Sequence, residues 1–389
     1  MAVPESTRAA YPHARTTAYN DPLKGVYYGP GCVSDALPKL LDRLGAKKAL
    51  IVTGKSLSQK TDVIKKVEEI LRKRDAYGAT FIDIGQHTPV AGIDAGLKQF
   101  KEVGADVIVA VGGGSPIDAA KAILYFHQQE TGGETLKQIA IPTTLSAAEY
   151  SNGAGYTNKE GVKTAVSSID IAPAGVILDA ELTVSTPERL WLSTGIRALD
   201  HAVESLTRPL VPIPVKYMFY QAIADLFTYL PLSKAEPSNI TYRQKLQIAS
   251  WMSIWPIQFP KYSAIGLSHA LGHKLGAAYG IPHGITSCLT LAPVVALKAA
   301  LPPPASTDED KEWLANSLFY LRLESTGSKA GDVKKLSELI AKLVVDLDLK
   351  STLEEYKVPK EDLPTVAELA VGVKGHPLHD VIVKLLQQL

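Results

Sequence analysis

Four histidines and one arginine have the types and spacing of a candidate catalytic site. Arg197 and His201 are four residues apart, as are His269 and His273, so each pair would share one face of a helix. His283 follows in the sequence Ile-Pro-His-Gly. A carboxylate at position 197 would complete a shell of three histidines and one carboxylate, which suits a divalent transition metal. The guanidinium of Arg197 has a permanent charge and no lone pair, so this residue decides whether a metal is expected.

A glycine-rich turn forms a second candidate site, between a predicted strand at 106–111 and a predicted helix. Its residues are Gly112, Gly113, Gly114 and Ser115, with Asp118 one turn into the helix. Glycines let the backbone approach a pyrophosphate, and the helix N-terminus offers free N–H groups and a positive dipole end. This position predicts a dinucleotide-binding turn. Thr143 and Thr144 follow the next strand, 138–141, and either face the same ligand or only form a turn.

The residue that ends the strand at 49–53 bears on the choice of cofactor. An acidic side chain there normally binds a ribose 2′-hydroxyl, but this chain has Gly54. Without a carboxylate to repel it, a 2′-phosphate could be contacted by Lys55 and Ser56. NADP(H) is therefore favoured over NAD(H), the alternative being that Gly54 only makes a tight turn.

The overall composition excludes several classes of protein. The chain has 389 residues, 46% of them hydrophobic and 21% charged, which is typical of a soluble protein of about two domains. A net charge of +1 gives no reason to expect nucleic acid or an acidic membrane surface as a partner. Two cysteines build no disulfide framework and fit a reducing compartment. The first twenty residues have no apolar core, so we expect no secretory signal, and no apolar run approaches the roughly 18 residues of a membrane span. We expect a cytoplasmic protein.

The periodicity of apolar residues changes near residue 186. Up to about residue 185, apolar strands alternate with amphipathic helical segments, as in a parallel sheet covered on both faces. We predict a Rossmann-like α/β domain at 1–185 that binds the dinucleotide, an all-helical substrate domain at 186–389, and a site in the cleft between them. The predicted helices of the second domain span 197–207, 217–229, 243–253, 263–279, 291–300, 308–323, 332–347 and 379–389.

Five motifs occur in an order that resembles one known superfamily. They are Gly-Gly-Gly-Ser-Pro-x-Asp-x-x-Lys from Gly112, Pro-Thr-Thr from Pro142, Ala-Leu-x-His-Ala-x-Glu from Ala198, Gly-Leu-x-His-Ala-x-x-His from Gly266 and Pro-His-Gly from Pro282. Together they resemble the iron-type (group III) alcohol dehydrogenases over roughly residues 24–295. The resemblance implies a dinucleotide-binding domain, a helical domain, assembly as a homodimer, and NAD(H) or NADP(H) against the glycine turn.

The resemblance also implies roles for the histidines. Metal-dependent members of the superfamily have Asp at the position of Arg197 and His at those of His201, His269 and His283, while His273 matches a histidine near the nicotinamide that is often assigned to proton relay. The maleylacetate reductase branch lacks the aspartate, typically has Asn in its place, and is regarded as metal-independent. This chain is similar to that branch in the segments 28–31, 142–149, 161–164 and 201–204.

Arg197 leaves three interpretations open. In the first, its guanidinium replaces the metal and stabilises a developing oxyanion or clamps a substrate carboxylate. In the second, the three histidines still bind zinc or iron and Arg197 turns towards the substrate. In the third, Arg197 pairs with Asp200 or Glu204 and the histidines are core residues. The first is favoured, because an isolated buried charge is costly unless it has a function or a partner.

These observations favour a NAD(P)H-dependent carbonyl reductase or alcohol dehydrogenase that transfers hydride to a ketone, aldehyde or keto acid without a metal. A cationic pocket favours an anionic small-molecule substrate. His273 is the first candidate for the proton donor and His269 the second, with pKa values lowered by Arg197. The alternatives are an Fe- or Zn-dependent alcohol dehydrogenase that uses His201, His269 and His283, and an inactive nucleotide-binding sensor.

Aromatic residues ahead of His269 form a further candidate feature. Trp251, Trp255 and Tyr262 would line an apolar substrate wall or pack in the core, the second being the commoner role. Tyr156 is a weaker candidate for proton transfer and is predicted to pack in a hairpin at the edge of the first domain.

Overall fold

Eight strands form a parallel sheet and a separate hairpin in the computed structural model, which describes residues 23–85, 88–159, 163–254 and 264–389. The strands are β1 (Gly25–Tyr28), β2 (Ala49–Val52), β3 (Tyr77–Phe81), β4 (Val107–Gly112), β5 (Lys137–Pro142), β6 (Gly153–Thr157), β7 (Lys163–Ser167) and β8 (Gly175–Leu178). Six of them form a sheet in the order β1-β8-β5-β4-β2-β3, in which all neighbours are parallel. β6 and β7 pair antiparallel. The sequence pattern did not predict β1, which is an edge strand, or β8, which lies next to it.

Helices cover both faces of this sheet. They are α1 (Val33–Leu44), α2 (Lys55–Lys60), α3 (Val63–Arg72), α4 (Val90–Glu102) and α5 (Gly114–Thr131). Successive residues of a strand point to opposite faces, so Ile51 and Val109 pack with α1 and α3 while Leu50 and Ile108 pack with α4 and α5. All four side chains are fully buried, and each contributes about 1.5–3 kcal/mol of hydrophobic stabilisation. Burial on both faces explains why these strands are uniformly apolar.

The strand order brings the predicted nucleotide-binding segments to one edge of the sheet. β4 lies between β2 and β5, and all three run in the same direction. Gly54, the glycine turn after β4 and Thr143 therefore follow the carboxyl ends of adjacent strands. This edge is where parallel α/β sheets bind nucleotides.

The second half of the described chain is helical. Its helices are α6 (Glu188–Leu206), α7 (Ile213–Ala235), α8 (Ile240–Ser253), α9 (Leu267–Tyr279), α10 (His283–Ala300), α11 (Asp308–Ala315), α12 (Ser317–Tyr320), α13 (Lys329–Asp346), α14 (Leu363–Val371) and α15 (His379–Leu386). An α/β half followed by a helical half confirms the predicted fold class.

Several predicted helix boundaries were wrong. α6 begins at Glu188 rather than at 197, because the preceding turns are also buried from Trp191 onwards. α10 begins at His283 rather than at 291 and continues through Pro293. The segment 308–323 divides into two helices at Asn316, and α14 was not predicted. The start at 283 matters for the site, because it places His283 in the first turn of a helix.

α6 is the central helix of the second half and packs against α7, α8, α9 and α10. By length and hydropathy α10 could cross a membrane, but 61% of that window is buried in the fold, as in a core helix of a soluble protein. The loop after β5 joins the two halves. The Leu145 N–H donates to Thr194 Oγ1 at 3.1 Å, and Thr186 Oγ1 donates to the Thr143 carbonyl at 2.7 Å. Thr194 precedes Arg197 by one helical turn, so the nucleotide edge is directly connected to the helix that carries Arg197.

Candidate active site

The guanidinium of Arg197 lies inside the helical domain and contacts three side chains. Nη1 donates to Asp200 Oδ2 at 3.3 Å and to Ser287 Oγ at 3.1 Å, while Nη2 lies 3.2 Å from His269 Nε2. Only 5% of the Arg197 surface is exposed, and Asp200 is completely buried. The ion pair with Asp200, which was one of the interpretations left open, is therefore present. The contact with His269 was not predicted.

The four histidines form a row in the order His201, His269, His273 and His283. The ring centroids of His201 and His269 are 5.4 Å apart, those of His269 and His273 are 4.6 Å apart, and those of His273 and His283 are 5.3 Å apart. His201 is buried, His269 and His283 are partly buried, and His273 is exposed. The structure thus brings all five residues of the first candidate site together.

The contacts of His269 define its tautomer. A guanidinium can only donate, so His269 Nε2 must accept from Arg197. His273 Nε2 lies 2.9 Å from the same nitrogen, so a hydrogen bond between them is donated by His273 and shares the single lone pair of His269 Nε2. Burial, and next the positive charge of Arg197, hold the pKa values of His269 and His201 well below the usual range. Both imidazoles are therefore neutral at neutral pH.

Glu204 lies one turn beyond Asp200 on α6 and binds the N-terminus of α9. Its Oε1 accepts the backbone N–H of Ser268 at 2.8 Å, and its Oε2 accepts that of His269 at 2.9 Å. Burial, together with the nearby charge of Asp200, raises the pKa of Glu204 to about 8. Burial also raises the pKa of Asp200, while Arg197 lowers it. With Glu204 protonated, Arg197 and Asp200 remain as a balanced pair of opposite charges.

The glycine turn between β4 and α5 fits a dinucleotide. Gly112 has φ +141°, and a Cβ there would lie 3.0 Å from Pro116 Cγ. A Cβ on Gly113 would lie 3.1 Å from Thr144 Cγ2, and one on Gly114 would lie 3.4 Å from Ser146 Oγ. The turn and the Pro-Thr-Thr segment are therefore in contact, and their close approach leaves little room for a side chain at Gly112 or Gly113. No side chain caps the N-terminus of α5 and no acidic residue occurs in its first turn, which includes Ser115, so its N–H groups can bind phosphate.

Two of the predicted nucleotide-binding residues are engaged with other protein groups. The Thr143 N–H donates to the Gly112 carbonyl at 2.9 Å, which joins the ends of β4 and β5. The Asp118 carboxylate accepts from Lys121 Nζ at 3.1 Å. Lys121 is completely buried and also donates to the Ala148 carbonyl, to Ser151 Oγ and to the Gly153 carbonyl. The predicted site residues did not include Lys121, whose signal was only its place in the Gly-Gly-Gly-Ser-Pro-x-Asp-x-x-Lys motif.

A carboxylate that was not predicted lies at the end of β3. The backbone of Gly54 pairs with that of Asp83, and Lys55 Nζ lies 2.7 Å from Asp83 Oδ1. Lys55, Ser56 and Asp83 are all exposed, so a ligand at this edge could reach them. Since Asp83 follows the strand next to β2, only the strand order could reveal this contact.

The aromatic candidates are only partly described. Trp251 stacks against Tyr150 with ring centroids 6.4 Å apart, which is a core contact on α8. Tyr156 packs edge-to-face against Phe126 on α5, with centroids 5.8 Å apart. Trp255 and Tyr262 lie outside the described residues.

A parallel-sheet nucleotide domain joined to a helical domain with a histidine cluster defines a nicotinamide-dependent dehydrogenase class. Residues 24–180 match the family model of the iron-containing alcohol dehydrogenases, and residues 191–383 match the model of the C-terminal domain of the Fe-containing alcohol dehydrogenase family. The chain belongs to the iron-containing alcohol dehydrogenase family. Members of the family use NAD or NADP.

Three relatives illustrate this family. The maleylacetate reductase of Rhizobium sp. (strain MTP-10005) is 30% identical over 58% of this chain, and the match spans 61% of that enzyme, less than two thirds of its length. The 1,3-propanediol dehydrogenase of Klebsiella pneumoniae is 29% identical over 89% of this chain and 90% of its own. A crystal structure of a 1,3-propanediol oxidoreductase superposes with a TM-score of 0.84 at 27% identity, over 96% of this chain and all of the other. These relatives act on CH–OH or C=O groups, which confirms the predicted superfamily and the predicted class of oxidoreductase.

Proposed function

We propose that this protein is a metal-independent, NADPH-linked carbonyl reductase in which Arg197 takes the electrostatic role of the family's metal ion. The observation that carries the proposal is the 3.2 Å contact between Arg197 Nη2 and His269 Nε2. That nitrogen has one lone pair, which accepts from Arg197, so a metal ion could bind there only by displacing the guanidinium.

The other potential metal ligands in the described part of the chain also do not form a metal site. Among the described residues, no group of three or more His, Cys, Asp or Glu side chains is arranged to hold one. A divalent ion about 4 Å from the guanidinium would be repelled by about 8 kcal/mol at an effective dielectric of about 20. Three neutral histidines would have to overcome this repulsion, which Asp200 offsets only in part.

The nucleotide fits the edge of the sheet. The glycine turn, with Thr144 against it, would hold the pyrophosphate on the N-terminus of α5. Bound NAD(P)H supplies the hydride. Reduction of a carbonyl then needs one proton and stabilisation of the negative charge that develops on the oxygen.

Arg197 and His273 of the helical domain meet these two requirements. The guanidinium of Arg197 is a permanent donor that stabilises the oxyanion in a site from which water is largely excluded. His273 donates a proton to the alkoxide and is reprotonated from solvent, because it is the exposed histidine of the row. His269, the second candidate, is less suited to this role, because its Nε2 accepts from Arg197 and its pKa is lowered by burial. The same guanidinium would bind a substrate carboxylate, so we propose a small anionic carbonyl compound as the substrate.

The preference for NADP(H) rests on Gly54. A Cβ at this residue would find only the Ile84 carbonyl within 4 Å, at 3.9 Å, so the space beside the backbone is open. Lys55 and Ser56 follow directly and would contact a 2′-phosphate. Asp83 opposes this preference, but its charge is paired with Lys55 at 2.7 Å.

A homodimer in the cytoplasm completes the proposal. The family resemblance supports the dimer and the sequence composition supports the compartment, and light scattering after gel filtration would measure the oligomer.

The test is metal analysis of protein purified without chelator, combined with NADPH oxidation over a panel of aldehydes, ketones and keto acids with and without excess EDTA. We expect substoichiometric metal and unchanged turnover in EDTA. Stoichiometric zinc or iron with EDTA-sensitive turnover would establish the metal-dependent alternative instead. Tight NADPH binding without turnover of any carbonyl would indicate a nucleotide sensor.

A further inference from the structure

The guanidinium of Arg197 is anchored through one of its two terminal nitrogens. Nη1 donates to Asp200 Oδ2 and Ser287 Oγ, and the Ser287 hydroxyl donates in turn to the same Asp200 oxygen. The three groups form a closed triangle in which the direction of each hydrogen bond is determined. A guanidinium is planar and rigid, so anchoring Nη1 also directs Nη2, which points to His269.

Three helices enclose this group. Arg197 and Asp200 lie three residues apart on α6, and Ser287 comes from α10. α9 closes the third side with Gly272, where a Cβ would lie 3.4 Å from Arg197 Nη1 and 2.7 Å from Thr286 Oγ1. Asp200 and Ser287 have no exposed surface. The guanidinium is therefore enclosed by α6, α9 and α10.

We propose that Asp200 and Ser287 are positioning residues that together form a guanidinium seat, which directs Nη2 towards the histidines and the reacting carbonyl. The inference rests on the proposed function of Arg197. A group that only neutralised a buried cation would need a charge, which Asp200 supplies. Ser287 adds no charge but orients the guanidinium through its hydrogen bonds to Arg197 and Asp200. This orienting contact distinguishes a guanidinium seat from simple neutralisation of a buried charge.

Chemical rescue tests the seat directly. In the full-length Arg197→Ala protein, millimolar guanidinium chloride is expected to restore part of the NADPH-linked turnover with the carbonyl that the unmodified protein reduces best. In Arg197→Ala/Asp200→Asn and Arg197→Ala/Ser287→Ala, we expect the half-saturating guanidinium concentration to rise about tenfold. Equal half-saturation in all three proteins would overturn the seat. Unchanged turnover of Arg197→Ala in the absence of guanidinium would instead count against the proposed role of Arg197.

A second variant keeps the inference testable where Arg197→Ala does not fold or is not rescued. Ser287→Ala in the otherwise unmodified protein is expected to lower kcat about tenfold, to leave the KM for NADPH unchanged, and to be restored largely by Ser287→Thr. Ser337→Ala is the matched control, since Ser337 is a buried serine that donates to a backbone carbonyl of α10 away from the guanidinium. A kcat for Ser287→Ala equal to that of the control would overturn the proposal.

Discussion

Glu204 and His269 belong to different helices, yet the Glu204 carboxyl accepts the backbone N–H of His269 at 2.9 Å. The residue before α9 is Gly266, which has no capping side chain, and a Cβ there would lie only 2.4 Å from Glu204 Cδ. A side chain of α6 thus takes the place of a local cap at the start of α9. Since α6 carries Arg197 and α9 carries His269, this contact fixes the two partners of the central hydrogen bond relative to each other.

Replacing Arg197 by aspartate should convert the site into one that binds a metal ion. Arg197→Asp removes the repulsive cation and releases the lone pair of His269, and it adds a carboxylate beside three histidines. We expect stoichiometric binding of Co²⁺ with visible d–d absorption bands, and a loss of metal-free turnover of about 100-fold or more.

Arg189→Asp is the control, because Arg189 is an exposed residue of the same helix. Unchanged metal-free turnover in Arg197→Asp would show that the guanidinium has no role in the reaction. Failure of Arg197→Asp to bind Co²⁺ would show that the histidine row lacks the geometry of a metal site.

An acidic residue at position 54 should reverse the choice of nucleotide. Gly54→Asp fits without strain, because Gly54 has φ −101° and open space beside it. The new carboxylate would repel a 2′-phosphate and accept from a 2′-hydroxyl, so the ratio of kcat/KM for NADPH to that for NADH should fall about 100-fold. Gly54→Ala is the uncharged control. If Gly54→Asp kept its preference for NADPH, the 2′-phosphate would be recognised elsewhere.

Lys121 should be required for stability and nucleotide binding together. Lys121→Met removes the hydrogen bonds of the ammonium group to the Ala148 and Gly153 carbonyls and the buried cation of the ion pair with Asp118, so the free energy of unfolding should fall by about 3 kcal/mol. The loop that Lys121 holds lies against Gly114, so the Kd for NADPH should also rise. Urea unfolding and fluorescence titration measure the two effects. Lys98→Met, at an exposed position on α4, should change neither.

Glu149 should make the protein less stable as pH rises. Burial raises the pKa of this carboxyl from 4.5 to about 7, so the folded state binds a proton that the unfolded state releases. The free energy of unfolding therefore falls between pH 4.5 and about 7, by up to about 1.4 kcal/mol per pH unit. Urea midpoints of Glu149→Gln should show a smaller fall across this range than those of the unmodified protein. Glu134→Gln, an exposed control, should follow the unmodified protein, and an identical slope in Glu149→Gln would contradict the assignment.

The sequence allowed prediction of groups whose neighbours follow from local geometry. Apolar strands that each end in a turn predict that Gly54, the glycine turn and Thr143 meet at one sheet edge, because parallel strands end on the same side. Helical spacing likewise placed Arg197 and His201 on one face. The motif order was sufficient to assign the superfamily.

Contacts between distant elements could not be predicted in the same way. Ser287 reaches Arg197 across 90 residues of sequence, through the packing of α10 on α6. Asp83 meets Lys55 only because β3 lies beside β2 in the sheet. A serine or an exposed aspartate has no distinctive pattern in sequence, so its partner emerges only from the tertiary arrangement.

The cation of this site is a part of the polypeptide. This affects the fraction of folded molecules that carry the cation in a cell. A bound metal is acquired from solution, so the occupancy of a metal site varies with metal supply and with competition among ions. Arg197 carries its charge in every folded molecule, and Asp200 balances that charge from the same helix. On the proposed function, the fraction of competent enzyme is set by folding and nucleotide concentration, and iron limitation or a chelating environment leaves it unchanged.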